Sequence, residues 1–128
     1  MKNLSITERR SGSIVVLDLK GKIIFGEESN DFHKALRRLA ERGEKKILLN
    51  FADVSCIDSS GLGELVGGYV AVGRIQGEIK LVNLSPNVLD LIECTRLSTI
   101  FSIYDDEAKA VKSFRKRGAR SVAVSRAA

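Results

Sequence analysis

The sequence is short of several residue types. Among 128 residues there is one proline, one histidine, one methionine, two cysteines and no tryptophan, and aromatic residues make up only 5%. Each shortage removes a class of function. The single histidine, His33, cannot supply a multi-histidine zinc site, and no Ser-His-Asp triad is evident around it. It lies in a helical stretch and is expected to face solvent. Cys56 and Cys94 are far apart, show no C-x-x-C spacing and sit in apolar surroundings. Two buried thiols in a reducing cytoplasm are therefore expected, without disulfide, metal or cofactor. No apolar run nears the roughly 20 residues of a membrane span. Met1 to Ser5 hold no apolar signal-peptide core, so a cytoplasmic location is expected. With no Pro- or Ser-rich linker and no internal repeat, 128 residues suit one domain.

Acidic residues are missing from one place in particular. All sixteen precede Arg115, whereas residues 115–128 carry five basic ones: Arg115, Lys116, Arg117, Arg120 and Arg126. The net charge of +5 would by itself suggest nucleic acid or an anionic membrane. Setting the last fourteen residues aside leaves sixteen basic against sixteen acidic side chains, so the body is neutral. The tail has no aromatic residue to stack on bases. Apolar periodicity also stops at Arg115. The expected division is a folded domain over 1–114 and a flexible basic tail over 115–128, with neither direct nucleic-acid binding nor membrane insertion.

Hydrophobic patterning gives the elements. Ser13 to Leu19 reads as a strand, ended by Gly21, and Leu4 to Arg9 pairs with it across a turn at Ser11-Gly12. Ile23-Ile24-Phe25 is an apolar run too short to stand alone. Phe32, Ala35, Leu36 and Leu39 mark a helix over Glu28 to Arg42, stopped by Gly43. Lys46 to Phe51 reads as a buried strand followed by a polar loop. Leu62, Leu65, Val66, Tyr69 and Val72 mark a second helix, ending near Gly73. Glu78 to Leu84 is a strand, Ser85-Pro86 starts a helix, and Ile100 to Tyr104 is a last strand. Asp105-Asp106-Glu107 opens a final helix carrying Ala108, Val111 and Phe114. Strands first, then helix and strand in alternation, predict an α/β fold: a mixed sheet with helices packed on it.

The most informative stretch is Asp58-Ser59-Ser60-Gly61-Leu62-Gly63, between a buried strand and an amphipathic helix. Ser and Asp there are ordinary helix caps. Gly61, Gly63 and Gly67 make a loose G-x-G-x-x-x-G, but no acidic residue ends the next strand and no Gly-Lys-Ser/Thr follows, so a nucleotide site is weakly supported. A serine nucleophile would want G-x-S-x-G and a base, and neither is evident. A regulated serine fits better. A phosphoserine carries about −1.5 to −2 charges. A helix N-terminus stabilises such an anion by roughly 0.3–1 kcal/mol, up to about 2 when partly buried. Phosphorylation would then leave the fold intact and alter the surface that a partner reads.

Lys46 to Leu65, K-I-L-L-N-F-A-D-V-S-C-I-D-S-S-G-L-G-E-L, resembles the signature of bacterial anti-sigma factor antagonists of the STAS domain family, a fold shared with cytoplasmic domains of sulfate transporters. The resemblance runs from about Leu4 to Phe114. It takes in the turn at Gly21, the glycine-containing second helix, K-L-V-N-L, S-P-x-V and T-R-L-x-x-I-F. It implies a STAS-type sheet and a partner-switching module with no catalysis of its own. In such a module the unphosphorylated antagonist binds an anti-sigma factor, itself a serine kinase with a histidine-kinase-like ATPase fold, and frees the sigma factor. The kinase phosphorylates the serine after the Asp, which is Ser59 here, and binding is lost. A PP2C-type phosphatase reverses the step. Asp58 and Ser60 would shape the site, and Gly61 and Leu62 would form the contact surface.

One position departs from the pattern. Family members often carry Asp in the loop after the second strand, where this chain has Ile24; Glu27 or Glu28 could supply the charge from a shifted loop. The departure keeps a second reading open, a STAS subunit of a larger assembly such as an ABC-transporter lipid-transport complex or a sensory scaffold, without phospho-switching.

Overall fold

Strands form where aliphatic and β-branched residues alternate or run together, and helices form between them. The computed structural model describes residues 3–116. Strand β1 (Leu4–Ser11) turns through Gly12-Ser13 into β2 (Ile14–Ile23), and the two pair antiparallel. Helix α1 (Glu27–Glu41) leads to β3 (Lys46–Ile57), and α2 (Ser59–Arg74) leads to β4 (Glu78–Val82). Helix α3 (Pro86–Cys94) and a 3-10 turn at Leu97–Thr99 lead to β5 (Ser102–Tyr104), and α4 (Glu107–Lys116) follows. The sheet order is the chain order, β1-β2-β3-β4-β5, with β2 to β5 parallel. This is the mixed sheet with packed helices that the sequence predicts.

The strand order explains where the helices lie. Crossovers of one hand that step repeatedly in one direction put their helices on one face. Val15, Leu17 and Leu19 of β2 and Leu49 of β3 accordingly share a core with Phe32 and Leu36 of α1, Leu65 of α2 and Ile92 of α3. Helix α4 comes after the last strand and covers the other face. There Ile14, Val16, Leu48 and Val82 meet Ala110, Val111 and Phe114.

Polar groups share that second face with α4. Asp18 accepts hydrogen bonds from Arg9 Nε at 2.6 Å and Asn50 Nδ2 at 2.8 Å, and Asn83 Nδ2 donates to Asn50 Oδ1 at 3.1 Å. Arg9 also donates to Glu107 at 2.8 Å, which ties the start of α4 to the sheet. Lys80 is buried. Its Nζ donates to Ser113 Oγ at 2.7 Å and stands 4.7 Å from the centre of the Phe114 ring.

Several expectations need correction. Gly21 does not end β2. It bends the strand at φ 117°, where a Cβ would meet the Asn3 carbonyl oxygen at 1.9 Å, and pairing resumes through Ile23. Ile23 is therefore the buried end of β2. The loop expected after Phe51 is instead more strand: β2 still pairs with it after β4 has ended, and two register irregularities in that pairing break the strict alternation and bring Val54 and Ile57 back inward. Beta4 stops at Val82, before Asn83 takes a left-handed φ of 64°. The cysteines are free, but not both buried: Cys56 is half-buried in that extension of β3, and Cys94 is exposed at the end of α3. His33 does not simply face water, since its Nδ1 lies 2.5 Å from Glu64 Oε1 of α2. Helix α4 takes in residues 115 and 116. The rest of the expected basic tail lies outside the described residues.

Candidate functional site

The D-S-S-G-L segment sits where β3 hands over to α2. Ile57 ends β3 buried in the core. Asp58 then takes an extended conformation and caps α2, its Oδ1 accepting the Gly61 amide at 3.0 Å. Its own amide donates to the Ile23 carbonyl at 3.2 Å, and its carbonyl accepts the Leu62 amide at 2.9 Å. Its second carboxylate oxygen accepts the Phe25 amide at 2.9 Å. Asp58 thus joins the end of β2 through its backbone amide, and the loop into α1 and the first turn of α2 through its side chain.

Burial pushes the Asp58 carboxyl pKa up, but hydrogen bonds from the backbone amides of Gly61, Phe25 and Ser60 together outweigh it and hold the group below its ordinary range. Asp58 is therefore an anion at neutral pH. Its oxygens are engaged by backbone amides, so it is not set up as a base on a neighbouring hydroxyl. The first-turn amides on which a phosphate could rest are also partly occupied already. A phosphate on Ser59 would meet a fixed negative charge beside it, which offsets part of the helix-terminus stabilisation.

The five residues singled out by the sequence divide into two groups. Ser59 is exposed as the first residue of α2, and Ser60 is half-buried. Gly61 is buried against β2: a Cβ there would stand 2.4 Å from the Ile23 carbonyl oxygen and 2.7 Å from Ile57 Cγ1, so only glycine lets the helix start so close. Leu62 is buried in the main core. Gly61 and Leu62 were expected to form contact surface, but here they seat the helix. Asp58 and Gly61 fix the geometry, and Ser59 is what they present.

Sequence reasoning missed Phe25. It lies in the loop clamped by Asp58, and its side chain is 79% exposed. The signal was present as an apolar run that fitted no element. The suggested substitutes for an acidic residue at position 24 also resolve. Glu28 is buried with its Oε2 accepting the Asn3 amide at 2.9 Å, while Glu27 is exposed at the start of α1. Among the described residues, no cluster of three or more His, Cys, Asp or Glu side chains could hold a metal, and no helix is long and apolar enough to cross a membrane.

A family model described as the STAS domain matches residues 5–110. The chain belongs to the STAS domain family. The anti-sigma-B factor antagonist of Bacillus subtilis is 31% identical over 102 residues, covering 79% of this chain and 91% of that protein. The anti-sigma F factor antagonist of Paenibacillus polymyxa is 26% identical over 109 residues, covering 85% of this chain and 93% of that one. Among solved structures, the Bacillus cell fate determinant SpoIIAA in its phosphorylated form superposes with a TM-score of 0.69 at 21% identity, covering 87% of this chain and 100% of that one. At that identity the likeness shows the shared STAS fold alone.

Proposed function

We propose that this chain is an anti-sigma factor antagonist that works by partner switching at Ser59. The observation that carries the reading is the exposed Ser59 hydroxyl on the first residue of α2, fixed behind Asp58 in the D-S-S-G-L segment of a STAS chain. Relatives that match most of its length bear the name anti-sigma factor antagonist, and one fold neighbour has been solved in a phosphorylated form. The unmodified chain binds an anti-sigma factor serine kinase with a histidine-kinase-like ATPase fold, and this releases a sigma factor in the cytoplasm. The kinase moves the γ-phosphoryl group of ATP to Ser59 Oγ; ADP leaves, and a base of the kinase takes the hydroxyl proton. A PP2C-type phosphatase hydrolyses the phosphoserine and restores the antagonist.

The physics supports a surface switch. The Asp58 cap and the close seat of Gly61 stabilise the start of α2 whether or not Ser59 is modified. About two negative charges on an exposed residue change what a partner meets far more than they change the fold. The test is titration of the cognate kinase against the full chain and two variants. Ser59→Ala is expected to bind like the unmodified protein and to take no phosphate at that site on intact mass spectrometry. Ser59→Asp is expected to bind at least about tenfold more weakly. Equal affinity for all three ends the switching reading and favours a permanently bound STAS subunit.

A further inference from the structure

We propose that the Phe25 ring is an apolar anchor inserted into a pocket of the anti-sigma factor, and that Asp58 couples its placement to the state of Ser59. The proposal rests on the partner-switching reading above and adds to it the residue that grips and the link that releases it.

Phe25 differs from every other phenylalanine in the chain. Phe32, Phe51, Phe101 and Phe114 are 0–3% exposed, whereas Phe25 is 79% exposed. The loop that carries it is nevertheless well fixed. The Phe25 amide donates to Asp58 Oδ2 at 2.9 Å. The carbonyl of Ile24 accepts the Ser29 amide at 3.0 Å, and that of Gly26 accepts the Asn30 amide at 3.1 Å. The Ser29 hydroxyl adds a bond to the Gly26 carbonyl at 3.2 Å. An exposed aromatic ring on a backbone already held in place loses little freedom on binding. Rings of this kind, packed into a partner's pocket, are among the residues that dominate interface energetics.

The link to Ser59 is a single side chain. Asp58 precedes Ser59 and holds the Phe25 amide through Oδ2 while its Oδ1 holds Gly61. A phosphate on Ser59 sets a second anion beside that carboxylate. Repulsion displaces the carboxylate, a rigid planar group, and weakens both of its bonds at once. The start of α2 is held as well by the Asp58 carbonyl and the buried Leu62, whereas the loop amide of Phe25 is held through Oδ2. The loop then loosens, and the anchor is no longer presented in one place. The same phosphate therefore weakens binding directly by its charge and indirectly through the anchor.

Two measurements on the full chain test this. The first needs no partner: hydrogen exchange of the Phe25 amide, read by NMR, is expected to be about tenfold faster in Ser59→Asp than in the unmodified protein, with the Leu62 amide, bonded to the Asp58 backbone carbonyl, little changed. Unchanged exchange at Phe25 overturns the coupling. The second uses the anti-sigma factor kinase that captures the unmodified chain. Phe25→Ala is expected to weaken that complex about 30-fold, with Phe25→Leu recovering much of the loss and the melting temperature unmoved. Binding of Phe25→Ala as tight as the unmodified chain, while Ser59→Asp still fails to bind, overturns the anchor and leaves the switch standing. Normal binding by Ser59→Asp instead removes the switching reading itself. If Phe25→Ala breaks a dimer of the free chain on sedimentation and leaves kinase affinity unchanged, the ring serves contact between copies and the anchor is overturned.

Discussion

The two faces of the sheet are held by different means. On one, α1, α2 and α3 bury a large and continuous apolar cluster; on the other, α4 buries a small one and adds a row of polar contacts through Arg9, Asp18, Asn50 and Asn83. The candidate switch stands at the end of the first face, on a helix whose Leu62 and Leu65 are sunk in the larger core. A charge placed there acts on a helix that does not shift, so its effect goes outward to a partner and sideways to the loop that Asp58 clamps. Ion pairs also rim the first face, where Arg42 at the end of α1 meets Glu8 and Glu44, but on the α4 face Arg9 joins Asp18 of the sheet to Glu107 of its one helix, so pH should reach the attachment of that helix. Neighbouring leucines of β3 test the contrast most severely. Leu48 and Leu49 are both fully buried, have the same chemistry and point to opposite faces. Leu49→Ala is expected to lower unfolding stability by about 3–5 kcal/mol in urea titration, because the cavity lies in a core that cannot collapse. Leu48→Ala is expected to cost about 2–3 kcal/mol, because α4 is one helix free to settle inward. An equal or larger cost for Leu48→Ala breaks the comparison.

That asymmetry was only partly visible in the sequence. The β-branched and aliphatic run of β2 and the continuous run of β3 revealed the sheet, and helical spacing in α1 and α2 revealed the helices, because central strands are buried on both faces and these helices on one. The far half of β3 was misread because Ala52, Asp53 and Ser55 look like a loop when judged by polarity. They face outward from a strand that has lost one neighbour but not the other. The same limit hid the end of β2, where Gly21 bends a strand without ending it. At the site, D-S-S-G-L placed Ser59 correctly at the helix start, since capping is local chemistry. Phe25 was invisible as a site residue because its bond to Asp58 spans 33 positions. Composition could not reveal which phenylalanine stays outside the core.

The helix starts sharpen the comparison at an intermediate scale. Asp58 accepts a first-turn amide of α2, while Ser85 makes no such bond to α3 and its hydroxyl instead donates to Asn87 Oδ1 at 2.8 Å. Two residues that look like equivalent caps in the sequence should therefore differ. Asp58→Ala is expected to cost about 1–2 kcal/mol, at the high end for a cap because a loop amide is released together with a helix amide. Ser85→Ala is expected to cost under about 0.5 kcal/mol. Thermal melts of the two variants decide it. Equal losses would mean that the Asp58 clamp adds nothing to the site's rigidity.

The smallest effect belongs to the α4 face and is set by pH. Hydrogen bonds from Arg9 hold the carboxyl pKa values of Asp18 and Glu107 below their ordinary 3.8 and 4.5, with Asn50 assisting at Asp18. Carboxyls depressed on folding contribute stability that is complete above the ordinary values and is lost as pH falls through the depressed ones. The cluster should thus contribute fully at pH 7 and fade below about pH 4. The side chains of Arg9, Asp18 and Glu107 are 33–41% exposed, so water screens them and the contribution stays near 0.5–1 kcal/mol. Arg9→Ala is expected to be less stable than the parent by about that amount at pH 7 and indistinguishable from it near pH 2, with the gap also narrowing in about 1 M salt. A gap that persists unchanged at low pH would assign the stabilisation to the packed aliphatic stem of Arg9 rather than to its charge. The α4 face would then be held like its opposite, by apolar contact.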